Sequence, residues 1–198
     1  VLALREVVAK SGLNEKQSTE ALTQLMDTGK MVVLGPVASE LTPRSTVLVL
    51  SRGYWERLSK EIHSFLAEYH NAYPLRVGMQ REELKSRLGL PVRAFNALIK
   101  HNTVIEEFVE HGVLLGLPAH RVVFNDHQQQ CVNALVARFR EDVHNTPSRK
   151  EAFAAVGQEV LSALLDRGTL LAVSADVLFL DETYAAMEVQ VREQICAS

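Results

Sequence analysis

The sequence predicts a mainly helical protein with small β-hairpins, an α+β fold made by tandem repetition of one short module. Three observations carry that expectation. Apolar residues recur at helical spacing along most of the chain, pairs of such helices are followed by two short β-rich runs, and the junction between helix and first run recurs. The junctions are Leu25-Met26-Asp27-Thr28-Gly29-Lys30-Met31-Val32, Leu98-Ile99-Lys100-His101-Asn102-Thr103-Val104-Ile105 and Leu164-Leu165-Asp166-Arg167-Gly168-Thr169-Leu170-Leu171, at offsets of 73 and 66 residues. Gly29, Asn102 and Gly168 share one position, and Gly and Asn are the residues that tolerate the left-handed conformation ending a helix. Modules of roughly 65 residues have small cores, so neighbours stabilise one another.

In the first module, Leu4, Val7 and Val8 lie at helical spacing, Gly12 interrupts the pattern, and Asn14 with Gln17 reads as a capping box opening a second helix. Ala21, Leu22, Leu25 and Met26 form the stripe expected to pack on the first helix. After Gly29, β-rich Met31–Leu34 and Val47–Leu50 flank a polar loop containing Pro36, Ser39, Pro43 and Ser45, the pattern of a hairpin with a long tip. Two short helices followed by a hairpin is the winged-helix plan. Its usual first helix is expected ahead of Val1, the sequence reading as a piece of a longer polypeptide cut in mid-helix.

The second module is complete. A helix from Tyr54 to about Tyr69 places Leu58, Ile62, Phe65, Leu66 and Tyr69 on one face, and Pro74 stops it. Glu82 and Glu83 favour a helix start after Gly78, Leu84 and Leu88 face inward, and Gly89 and Pro91 mark the turn. A helix over 92–101 with Phe95, Leu98 and Ile99 inward leads to strands at 104–109 and 113–117 around His111-Gly112. The third module has helices at about 126–142, 149–154 and 158–167, with a hairpin of 170–173 and 177–180. The expected domains are therefore 1–51, 52–117 and 118–181, with 182–198 starting a further one.

Composition excludes little. With 47% apolar and 23% charged residues the chain is globular, and no apolar run is long enough to span a bilayer. Two cysteines far apart, Cys131 and Cys196, suit reduced thiols in the cytoplasm better than a disulfide framework. The net charge of -3 conceals a gradient, because only residues 51–117 are net basic, with nine basic and eight acidic side chains. Phosphate contacts are thus expected to be local rather than spread along the chain.

The strong catalytic signatures are missing: there is no G-x-x-x-x-G-K-[ST], H-E-x-x-H, G-x-S-x-G or C-x-x-C. The seven histidines lack thiolate partners, and Glu82-Glu83 and Glu106-Glu107-Glu110 suit a helix start and a hairpin face. No catalytic, metal or cofactor site is expected in this chain. Winged helices most often read nucleic acid through the second helix of the turn motif. Its outward residues are acidic or neutral in the first and third modules, whereas Arg93, Asn96, Lys100 and His101 give the middle helix a phosphate-compatible face. Arg76, Arg81, Lys85 and Arg87 would extend this into a basic patch, and Arg149 and Lys150 form a smaller third-module candidate.

Residues 73–88, Y-P-L-R-V-G-M-Q-R-E-E-L-K-S-R-L, resemble a stretch in the C-terminal extension of the bacterial selenocysteine-specific translation elongation factor, the SelB family, through the pattern P-L-R-x-G-M-x-R-E-E-L. The resemblance implies tandem winged helices behind a GTPase that would hold GTP and Mg in domains ahead of Val1. It implies as partners selenocysteinyl-tRNA, the ribosome and a hairpin in selenoprotein mRNA, gripped mainly by a last winged helix expected beyond Ser198. The chain would then be an arm between the GTP-binding body and the mRNA-reading tip, and not itself an enzyme. A tandem winged-helix DNA-binding regulator would need outward basic side chains in at least two recognition helices, and the sequence offers one. A protein-interaction scaffold fits the acidic first and third modules. A G-x-x-x-x-G-K-[ST] GTPase encoded upstream separates the first reading from both others.

Overall fold

The computed structural model describes residues 1–34, 41–105, 107–143 and 145–196. The fold is mainly helical with small antiparallel sheets, as expected for tandem winged-helix modules. Two compact units divide it: unit 1 comprises Val1–Glu68 and Met79–Pro118, unit 2 Tyr69–Gly78 and Ala119–Ser198.

In unit 1 the chain starts with a strand, β1 (Leu2–Ala3), so the helix expected to run through Val1 begins instead as α1 (Leu4–Ser11). Then follow α2 (Glu15–Asp27), β2 (Met31–Leu34) and β3 (Leu48–Ser51), with antiparallel sheet order β1-β3-β2. The short β1 escapes period analysis because two residues carry no alternation. Asn14 caps α2 as predicted: its Oδ1 accepts the Gln17 N–H at 2.9 Å and Gln17 Oε1 accepts the Asn14 N–H at 3.2 Å. Asn14→Ala removes half of this reciprocal pair, and thermal melts should register a loss of about 1 kcal/mol.

The predicted stripe of α2 is only partly inward. Leu22 joins Leu4 and Val49 in a small core, but Leu25 and Met26 are 39% and 41% exposed. The final turn of the helix lies outside that core, so helical phase alone overestimates burial. The helix ends as the shared junction requires: Gly29 has φ 62°, its N–H donates to Met26 O, and Lys30 N–H donates to Leu25 O, the two bonds of a Schellman cap. The tip of the first hairpin, with Pro36 and Ser39, lies outside the described residues.

Next comes α3 (Arg52–Ala72), in unit 1 as far as Glu68 and with Leu58, Ile62 and Leu66 buried, and unit 1 resumes with β4 (Met79–Gln80), α4 (Arg81–Leu88) and α5 (Val92–Ile105). β5 (Val109–His111) and β6 (Leu114–Gly116) complete a sheet of order β4-β6-β5 around the Gly112 turn. Here the repeat alignment fails. Val104 and Ile105 continue α5 rather than opening a strand, and Asn102 lies within the helix. Adding one residue to an existing helix gains one hydrogen bond at little entropic cost, so a β-branched pair does not end a helix without a stop signal.

In unit 2, α6 (Asp126–Glu141) packs with α7 (Arg149–Asp166), β7 (Leu170–Ala172) and β8 (Leu178–Leu180), and α8 (Asp181–Cys196) follows. Gly157 breaks α7 at φ 79°, ψ 168°, which separates the two helices that the sequence predicts. A bridge between Ser148 and Val177 supplies the third strand position of this wing. Gly168 repeats the Schellman cap, with N–H bonds from Gly168 to Leu165 O and from Thr169 to Leu164 O.

Two further features recur in all three modules. An eight-residue helix, the first of the turn motif, ends at a glycine of positive φ, at Gly12, Gly89 and Gly157. The first residue of that helix also donates its main-chain N–H to the wing: Leu4 to Val47 O (2.9 Å), Arg81 to Val113 O (3.0 Å) and Arg149 to Asp176 O (2.9 Å). The first and third wings pass straight into a helix, α3 and α8. In each, the leading N–H bonds back to the base of the wing, Arg52 to Lys30 O and Asp181 to Thr169 O.

Candidate nucleic-acid interface

Of the nine residues the sequence nominates, the fold gathers three. Arg93, Asn96 and Lys100 project from one exposed face of α5, at i, i+3 and i+7, and line an open cleft of about 600 Å³. The opposite wall is the wing of the first module, with Leu34 and Thr46–Leu48. Arg93 is held there by a 2.7 Å hydrogen bond from its Nη2 to the Thr46 carbonyl. A recognition helix of one module therefore faces the wing of the module before it.

His101 does not add charge to that face. Its ring meets the Trp55 ring edge-on, with centroids 5.1 Å apart at 88°, and burial lowers its pKa against a weaker opposing effect of Glu107. It is neutral at physiological pH. Glu107, expected on the hairpin face, instead accepts a hydrogen bond from Ser59 Oγ of α3.

Four of the remaining cations carry carboxylate partners. Arg81 reaches Glu110 at 3.1 Å, Arg87 reaches Glu83 at 2.8 Å, and Lys85 pairs with Glu82. Arg87 also lies over the Phe65 ring, 5.7 Å from its centroid. Arg76 belongs to unit 2, where it meets Asp166 at 3.4 Å. Arg149 and Lys150 are exposed on the first turn of α7, beside the Ser148–Glu151 capping box. Each exposed pair contributes under about 1 kcal/mol, so a phosphate can displace a carboxylate, yet every such exchange returns a charge to solvent unpaired.

Sequence reasoning missed the first-module wing as a wall of the cleft. Its signal was Thr42-Pro43-Arg44-Ser45, a turn in which Ser45 N–H donates to Thr42 O. Among the described residues, no group of three or more potential metal ligands is present, and no helix is long and apolar enough to cross a membrane. Cys131 is a free thiol.

Strand–helix–turn–helix–hairpin order, the repeated wing anchors and the cleft beside a recognition helix define a tandem winged-helix protein. Residues 63–114, which run from the middle of α3 to the start of β6, match the family of the second winged-helix domain of SelB, described as "Elongation factor SelB, winged helix". The match stops within the second module. No curated protein matches the chain.

Proposed function

We propose that the chain is an arm of tandem winged helices in a selenocysteine-specific elongation factor, joining a GTP- and tRNA-binding body to the domain that grips the selenoprotein mRNA hairpin. The observation that carries this reading is the SelB winged-helix match at 63–114, set in a chain whose other modules share its fold. Its surface chemistry supports an orienting role over a gripping one, since Arg81, Lys85 and Arg87 of the middle module are already matched by carboxylates. RNA contact by the middle module is then confined to the Arg93–Asn96–Lys100 face, against ribosomal or transfer RNA. Filter binding of residues 1–198 to a selenocysteine-insertion hairpin should show weak affinity and a log K against log[salt] slope of magnitude below about 3, since each phosphate neutralised adds roughly one unit. Appending the following domain should raise affinity by orders of magnitude. Tight, hairpin-selective binding by residues 1–198 alone would contradict the proposal.

A further inference from the structure

The segment Tyr69–Gly78, the last turn of α3 and the link from it to β4, is part of unit 2, although the residues before and after it belong to unit 1. Leu75, 8% exposed, sits in the core cluster of that unit with Val132, Leu135, Phe139 and Leu164. Arg76 pairs with Asp166 of α7. At the start of the segment, His70 is 6% exposed and stacks on His120, with ring centroids 3.6 Å apart and planes within 17°. His120 Nε2 lies 3.0 Å from the Arg76 carbonyl, which can only accept, so this nitrogen carries the proton.

We propose that the His70–His120 stack is a pH-operated latch that holds the strap 69–78 in unit 2 while His70 is neutral and frees it once His70 takes a proton. The geometry makes a charge on His70 costly in two ways. The ring is almost sealed from water, and another imidazole lies in face contact with it. The other groups on the surrounding elements do not reverse this. On α3 the neighbour is the Tyr69 ring, 6.2 Å away, itself packed on Tyr73. The strap supplies Arg76, a cation whose guanidinium faces Asp166. Beside His120 stands Arg121, whose Nη1 donates to the His120 carbonyl, and at the end of α7 Arg167 lies over Phe124. Asp166 is the one carboxylate in this set, and it is engaged by Arg76.

Burial first, then the charge of His120, pushes the His70 pKa down to about 4, against a partly compensating hydrogen bond to the Arg76 backbone. The unfolded segment takes up its proton near the ordinary value of about 6.5, well before the folded one. The latch is therefore fully closed above about pH 6.5 and weakens as pH falls from there towards 4. Neutral conditions keep the strap docked, and mild acid loosens it.

Proton NMR of the full chain, with hydrogen exchange normalised for intrinsic rates, tests this. The His70 ring should titrate at least about one unit below 6.5. Protection of the strap amides, including Tyr73 and Arg76, should fall about tenfold or more from pH 7 to pH 5, while α5 amides hold theirs. In His70→Phe the strap should keep its protection across that range. A His70 midpoint near 6.5, strap protection in the wild type that ignores pH, or an unchanged pH dependence in His70→Phe would each overturn the proposal. The first two need no variant, so a poorly folding substitution leaves the test intact.

Discussion

Leu75→Ala is expected to loosen the third module, although the residue lies in the second by sequence. Its side chain belongs to the core cluster of unit 2 with Leu135, Phe139 and Leu164, so truncation removes buried methyls and leaves a cavity. The cost should be about 2–5 kcal/mol, towards the lower end if the surrounding strap collapses inward. Hydrogen exchange read by mass spectrometry should show protection lost in the peptides of α6 and α7. The single tryptophan, Trp55, lies in unit 1 and gives an internal control by fluorescence. A variant whose exchange rises in α5 but not in α6 or α7 would show that Leu75 serves the module of its own sequence.

Gly157→Ala is the second large effect. A Cβ at this position meets nothing within 4 Å, so the consequence is purely one of backbone conformation. At φ 79° and ψ 168° the residue occupies a region open essentially only to glycine, and strain of about 1–3 kcal/mol is the expected penalty. The equivalent glycines sit elsewhere in that half of the map: Gly12 at φ 70°, ψ 6° and Gly89 at φ 61°, ψ 24° are ordinary left-handed caps. Alanine there should cost about 1–2 kcal/mol. Urea denaturation followed by circular dichroism should therefore place Gly157→Ala lowest of the three. A neutral or stabilising outcome, with helix content rising, would mean that Arg149–Asp166 readily straightens into one helix and that the break is dispensable.

Features written in local chemistry were legible in the sequence. The capping box at Asn14–Gln17, the Schellman glycines Gly29 and Gly168, and the turn at Gly112 each depend on residues within a few positions of one another, and each forms as read. Features decided by distant packing were not. Asn102 looked like its glycine counterparts, but a helix already formed carries through it to Ile105. Sequence order groups 69–78 with the second module, while Leu75 packs in the core of unit 2 and His70 stacks on His120 of that unit. The basic patch divides along the same line. Arg87–Glu83 and Lys85–Glu82 stand at helical spacing and could be anticipated, whereas Arg81–Glu110 and Arg76–Asp166 join residues that only folding brings close. Counting charges identified the cations without showing which were already answered.

The joints after the first and third wings have a mechanical consequence. Ser51 is followed at once by α3 and Leu180 by α8, and in both places the leading N–H of the helix is bonded to the carbonyl at the foot of its wing. Strand and helix share the joint with no slack residue between them. A torque applied to either wing is then delivered to the following helix as a crank turns its shaft, so the joint transmits rotation rather than absorbing it.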